Sequence, residues 1–399
     1  MRPSAVPVEF VLFALTLLGV ALAHRRALEV AAVGLAAITL YKLGVTGFDA
    51  GPGLPGLLAH LRAEWSVLAN LFALLLGFAL LSRHFEESHV PRRLPDLLPD
   101  DWRGGFLLLV LVFVLSSFLD NIAAALIGGT VAKSVFRGRV HVGYVAALVA
   151  ASNAGGSGSV IGDTTTTMMW IDGVTPLAVL HAYVAAGVAL VVCGIPAALQ
   201  QQRHSPIAVS DTRHSVVDWA RVAIVAIILV AAIAANVVGN LHFADYTHHV
   251  PFIGLAIWIA ILATSGWRRP DWAVLPGALR GAVFLLCLVA AASMMPVERL
   301  PPASWQSAFG LGFVSAVFDN IPLTKLALEQ GGYDWGVLAY AVGFGGSMIW
   351  FGSSAGVAIT SLFPEARSLW AWLRGGWHVA LAYVAGFAVL LATLGWHPL

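Results

Sequence analysis

Three acidic residues stand in apolar surroundings, each beside oxygen-bearing neighbours. Asp120 precedes Asn121 in FLDNIAAAL, Asp319 precedes Asn320 in FDNIPLT, and Asp163 lies in NAGGSGSVIGDTTTT, residues 153–167. Carboxylates, amides, hydroxyls and backbone carbonyls are hard donors that suit hard cations rather than soft ones. A carboxylate taken out of water holds its proton more firmly, so it can give that proton up when a cation takes its place. An ionisable group at membrane depth is by default a functional-site candidate. Asn153, Thr164, Thr165, Thr166 and Thr167 would add side-chain oxygens, and Gly155, Gly156 and Gly158 would let the backbone turn and come close to an ion. Asp120, Asn121, Asn153 and Asp163 are the candidate ligands for a hard metal cation.

The pattern is written twice. NAGGSGSVIGDTT from Asn153 aligns without gaps on GFGGSMIWFGSSA from Gly343. Gly155, Gly156, Ser157 and Gly162 recur as Gly345, Gly346, Ser347 and Gly352, while Asn153 and Asp163 become Gly343 and Ser353. The Asp-Asn pairs precede these stretches in the same order, so Asp319, Asn320, Gly345, Gly346, Ser347 and Ser353 form a counterpart set. Lys325 follows Asp319 by six residues. A lysine buried there needs a partner, with Asp319 the nearest candidate, and would act as a tethered cation at the second set. The alternative is a lysine that snorkels to the surface.

The elements that must hold these residues are membrane helices. Of 399 residues, 59% are hydrophobic and only 11% charged, with a mean hydropathy of +0.84; soluble domains carry about 25% charged residues. The chain reads as an all-α polytopic membrane protein, and its net charge of +1 offers nothing to nucleic acid. The first half, 1–199, has apolar segments at 8–23, 27–46, 65–82 and 175–199, an interrupted segment at 104–136 and a broken helix at 142–171. The second half, 217–399, has apolar segments at 217–239, 250–266, 277–293 and 372–396, an interrupted segment at 303–330 and a broken helix at 335–361. The polar stretch 200–216 is the linker. If each Asp-Asn segment is a re-entrant hairpin, each half crosses about five times, so the two repeats are inverted.

Charge placement agrees with that map. Nearly all basic residues, from Arg25, Arg26, Arg83, Arg92 and Arg93 through Lys133, Arg203 and Arg213 to Arg367 and Arg374, fall on one side. Only Arg2, Arg62 and Arg299 fall on the other. The positive-inside rule makes the first side cytoplasmic, so the linker is cytoplasmic and both termini are outside a cell (inner) membrane. Residues 8–23 end in Ala21-Leu22-Ala23, which a signal peptide could also show; the counterpart in the second half favours a helix. Lys42 is expected to snorkel, His378 to be a hydrogen-bonded core histidine, and Cys193 and Cys287 to be packing residues. Broken helices in inverted repeats mark secondary transporters, with the site near the midplane.

FLDNIAAAL, NAGGSGSVIGDTTTTMMWI, FDNIPLT and GFGGSMIWFGSSAGVA also resemble the paired motifs of NhaD-type sodium/proton antiporters of the ion transporter superfamily. The likeness covers nearly the whole chain from residue 104. It implies a scaffold and a moving transport domain, an elevator mechanism, a homodimer, and transported sodium (or lithium) and protons with no cofactor. Two positions depart from the pattern: Ile122-Ala123-Ala124-Ala125 stands where a Thr usually follows, and Lys325 where a small residue does. The superfamily also holds citrate- or dicarboxylate-type and arsenite permeases. Their carboxylate carriers use Ser-Asn-Thr tips, whereas two Asp-Asn tips would repel an anion. Gly155-Gly156-Ser157-Gly158 also matches the Gly-x-Ser-Gly of intramembrane serine proteases, which need neither Asp-Asn hairpins nor a duplication. Asp120 and Asp319 could instead be helix caps.

Overall fold

The computed structural model describes residues 7–23, 26–48, 51–90, 93, 98–207, 216–243, 246, 250–360 and 362–399. Arg2, Arg25, Arg92, Ser210, Arg213 and Thr247 lie outside the described residues. In chain order the helices are α1 (Val8–Leu22), α2 (Ala27–Tyr41), α3 (Gly53–Glu87), α4 (Trp102–Ser116), α5 (Asn121–Val135), α6 (Val142–Ser157), α7 (Thr164–Ile171), α8 (Pro176–Leu180), α9 (Ala182–His204), α10 (Trp219–His242), α11 (Phe252–Thr264), α12 (Leu275–Ala292), α13 (Trp305–Ser315), α14 (Asn320–Gln330), α15 (Trp335–Gly345), α16 (Ser354–Ile359), α17 (Leu369–Gly375) and α18 (Trp377–Leu394). Among the described residues there is no β-strand. Lipid supplies no hydrogen bonds, so a spanning backbone must satisfy its own, and a helix does so within one segment. Among the described residues six helical stretches are long and apolar enough to cross: Ala27–Thr46, Gly53–Glu87, Pro176–His204, Trp219–Gly239, Trp272–Ala292 and Trp377–Leu394. The chain is an all-helical integral membrane protein.

Two compact units divide it. One comprises Met1–Leu81, Ala226–Pro301 and Ile321–Gln330; the other comprises Ser82–Val225, Pro302–Asn320 and Gly331–Leu399. In the first, polar side chains join apolar helices, as they must where lipid weakens hydrophobic association. Asn70 Oδ1 on α3 accepts from the Gly254 N–H at 3.0 Å, and Trp258 Nε1 donates to the Ala73 carbonyl at 3.1 Å. Lys42 does not snorkel. It is buried, donates from Nζ to the Met294 carbonyl at 2.8 Å and lies 5.4 Å from the Phe48 ring centroid. A carbonyl just beyond α12 and an aromatic face give the ammonium what water would have given it.

The helix expected at 65–82 is longer. α3 has 35 residues, about 52 Å at 1.5 Å per residue, against roughly 30 Å of hydrocarbon. His60, Arg62 and Glu64 interrupt the apolar run without stopping the helix. Two of these polar groups are used inside the unit: His60 Nε2 lies 3.0 Å from Ser293 Oγ, and Glu64 pairs with Lys325. The last expected helix, 372–396, is two pieces that meet at Gly376, and α9 carries helix to His204, into the stretch read as linker.

In the second unit α6 and α15 are buried along their length. A helix surrounded by protein can be apolar on every face, which is how VGYVAALVAAS and WGVLAYAVGFG read. Tyr144 on α6 donates to the Gly105 carbonyl on α4 at 2.6 Å, and Tyr340 on α15 donates to the Ala382 and Tyr383 carbonyls on α18, both at 3.1 Å. His378 is fully buried, as expected of a core histidine, with the Gly375 backbone beside it.

Candidate functional site

α6 stops at Ser157, and the chain runs without helix until Asp163 caps α7. Farther along, α15 stops at Gly345, and Ser353 caps α16. Each break is pressed against the end of a short arm. α4 gives way to α5 across 117–120, and α13 gives way to α14 across 316–319. Ser116 Oγ donates to the Ser152 carbonyl at 2.5 Å, and Ser315 Oγ donates to the Val342 carbonyl at 2.7 Å. No sequence motif singles out these two serines, yet each stands four residues before an Asp-Asn pair.

The glycines make room for this contact. A methyl at Gly155 would collide with the Phe113 carbonyl of α4, and one at Gly345 with the Gly312 carbonyl of α13. Gly156 and Gly346 face the carbonyls of Gly162 and Gly352 across their own breaks, where a methyl group would stand only 2.8 and 2.7 Å from the oxygens. Gly155→Ala should therefore lower the melting temperature of the purified protein. Gly187→Ala, where nothing lies within 4 Å of the added carbon, should leave it unchanged or raise it slightly. Equal melting of the two would refute the close-approach reading.

Asn153 is the hub. It is fully buried, accepts from Asn121 Nδ2 at 3.1 Å, and donates from Nδ2 to Ser347 Oγ and Ser353 Oγ, both at 3.0 Å. Asp163 is 3% exposed; it accepts from Asn320 Nδ2 at 3.4 Å and from the Thr165 N–H at 3.4 Å. Asp319 accepts from Ser354 Oγ at 3.2 Å, a contact the sequence did not suggest. Asp120 occupies the N-cap position of α5, and both Asp120 and Asp319 are near enough to act electrostatically on Asp163. Thus Asn121 and Asn320, from the two Asp-Asn pairs, reach the same break region. Each of the three carboxylates stands at the start of a helix, whose positive end offsets part of its charge.

Not every expected residue joins this set. Thr164 is half-buried at the start of α7. Thr166 and Thr167 serve the backbone, donating to the Ser159 carbonyl at 2.6 Å and the Val160 carbonyl at 2.9 Å. Lys325 is held by Glu64 at 2.9 Å and Glu329 at 2.6 Å rather than by the expected Asp319, and it is 2% exposed, so it does not snorkel. Ser157 Oγ donates to the Ala154 carbonyl at 2.8 Å instead of meeting a histidine base.

Among the described residues no three His, Cys, Asp or Glu side chains converge so as to hold a metal ion by themselves. A cation taken here would have to draw also on amide, hydroxyl and carbonyl oxygens. Such a mixed oxygen set suits a hard ion.

Comparison with known proteins adds three findings. Residues 10–345 match the family model described as citrate transporter. The chain is 28% identical over 364 residues to sodium/proton antiporter 1 of Arabidopsis thaliana, an alignment covering 80% of this chain and 59% of that protein. It is 26% identical over 326 residues to sodium/proton antiporter 2 of the same plant, covering 73% of this chain and 76% of that protein.

Proposed function

The chain belongs to the citrate transporter family, and from that premise we propose that it exchanges sodium or lithium for protons across a cell membrane by an elevator-type motion. Membership of that family supports secondary transport, and the choice of sodium or lithium is the finer part of the proposal. The observation that carries it is the buried hub at Asn153, which gathers both breaks and the first Asp-Asn pair, beside Asp163, which takes the second. Three carboxylates act within this region, and the side chains that bond Asn153 and Asp163 are amides and hydroxyls rather than cations. Asp120, Asn121, Asn153 and Asp163 would hold the ion, and Asp163 would release its proton as the ion arrives. Two relatives bearing the name sodium/proton antiporter support the same reading.

The family description names an anion, so an organic-anion or arsenite carrier is the reading to beat. It wants a cation facing the substrate. Lys325 is committed to two carboxylates. Reconstituted in proteoliposomes, the protein should move protons when sodium or lithium is added. Proton movement driven by citrate, a dicarboxylate or arsenite alone would replace cation exchange with the anion reading.

Inverted repeats at 1–199 and 217–399 are part of the proposal. Their support is the matched serine contacts, Ser116 to Ser152 and Ser315 to Val342, and the matched glycine approaches. Cysteines at Arg93 and Ser210 should label from the cytoplasm and one at Thr247 from outside. Labelling of Arg93→Cys and Thr247→Cys from the same side would remove the inversion.

A further inference from the structure

A cavity with polar walls lies in the unit that holds Asn153. It measures about 600 Å³ and is lined by His141 and Val142 at the start of α6, Gln200, Arg203 and His204 at the end of α9, and Ala371, Arg374 and Gly375 on α17. Among the described residues no carboxylate lines it. Neither Arg203 nor Arg374 forms an ion pair among the described residues, and both are exposed at its rim. The His141 and His204 rings meet edge to face at 5.4 Å. His141 Nδ1 accepts from the Gly143 N–H at 3.1 Å, so the neutral ring carries its proton on Nε2 and is a donor there.

The walls are fixed. The His141 N–H donates to Gln201 Oε1 at 2.7 Å, and Gln201 Nε2 donates to the Arg139 and Ser205 carbonyls, both at 3.0 Å. On the third wall, Trp372 Nε1 donates to the Ser347 carbonyl at 3.3 Å.

Depth selects the ligand's source. α9 closes the candidate span Pro176–His204, and α18 opens the candidate span Trp377–Leu394 directly after Gly375 and Gly376. Trp370 is 82% exposed and Trp377 52%, as expected of indoles at a membrane–water interface. A cavity of this volume accommodates a small ligand, and a basic pocket between helix ends at this level matches a phosphate headgroup. We propose that this cavity binds a phosphate-bearing anion, the headgroup of an anionic lipid, through Arg203, Arg374 and the two histidines. The bound phosphate would sit at the first turn of the helix that carries Asn153, and against the helix bonded to the Ser347 backbone.

Full-length protein in detergent, titrated with phosphatidylglycerol or phosphatidylcholine and followed by native mass spectrometry, tests this. Wild type should retain phosphatidylglycerol in preference to phosphatidylcholine. Arg203→Gln and Arg374→Gln should each weaken retention about fivefold, and the double variant about 25-fold. Ala371→Asp, which adds a carboxylate and removes no arginine, should weaken it too; gel filtration checks that each variant is folded. A parallel arm adds inorganic phosphate at fixed ionic strength and reads the melting temperature. Stabilisation of wild type but not of the double variant, without lipid preference, would assign the same site to free phosphate and overturn the lipid assignment. If wild type and double variant behave alike toward both probes, there is no phosphate site here.

Discussion

Asp163→Asn is expected to fold, insert and lose exchange altogether. Asparagine keeps the volume and one carbonyl oxygen, so it can still accept the Thr165 N–H and cap α7, a position where Asn and Asp serve about equally. It can also still meet Asn320. What goes is one negative charge from a region that also feels Asp120 and Asp319, together with the only titratable group on the break. A cation then loses its charged partner and no proton is released in its place. In proteoliposomes carrying a pH-sensitive dye inside, a sodium pulse should give the signal of protein-free vesicles, while the melting temperature stays at or above the wild-type value because like charges are no longer crowded. A variant that exchanges at the wild-type rate would reduce Asp163 to a helix cap.

Much of this site is legible in the sequence, for a physical reason. Polar groups are so costly in lipid that a run such as Asn153 to Thr167 cannot be filler, and its second copy at Gly343 fixes which helices break. The sequence also points to Asp120, Asn121, Asn153 and Asp163 as companions, but it does not say which pairs touch. Asn320 reaches Asp163, and Asn153 reaches Ser347 and Ser353, because tertiary packing brings separate segments together. Ser116 and Ser315 escape notice because one hydroxyl in an apolar run is commonplace; only their shared offset from Asp-Asn marks them. Glu64 misleads for the opposite reason. An acidic residue at the edge of an apolar run signals a helix end when it faces water, and the run gives no sign of a buried partner 261 residues away on α14. The same blindness sends Lys42 to the surface and gives Lys325 to Asp319.

Lys325 is where that correction has the largest consequence for stability. Its ammonium is almost fully buried between Glu64 and Glu329, whose side chains are 15% and 30% exposed. Two carboxylates around one lysine leave the trio a net negative charge, and the lysine is what lets them share so small a space. Lys325→Ala removes it and leaves two like charges facing a cavity. Breaking a buried pair in this way costs about 3–5 kcal/mol, so the purified variant should melt well below wild type or aggregate on extraction. Replacing all three together, Lys325→Met with Glu64→Gln and Glu329→Gln, removes the charges as a set and should recover most of the loss, because the penalty comes from unpaired charge and not from missing bulk. The recovered triple variant then separates stability from transport. With Lys325 acting as an internal counter-ion for the two glutamates, the triple variant should still exchange sodium for protons and should gain no dependence on anions. A single Lys325→Ala variant as stable as wild type would show that the trio contributes nothing to folding. A folded triple variant that has lost all exchange would place this lysine and its glutamates in the transport cycle itself.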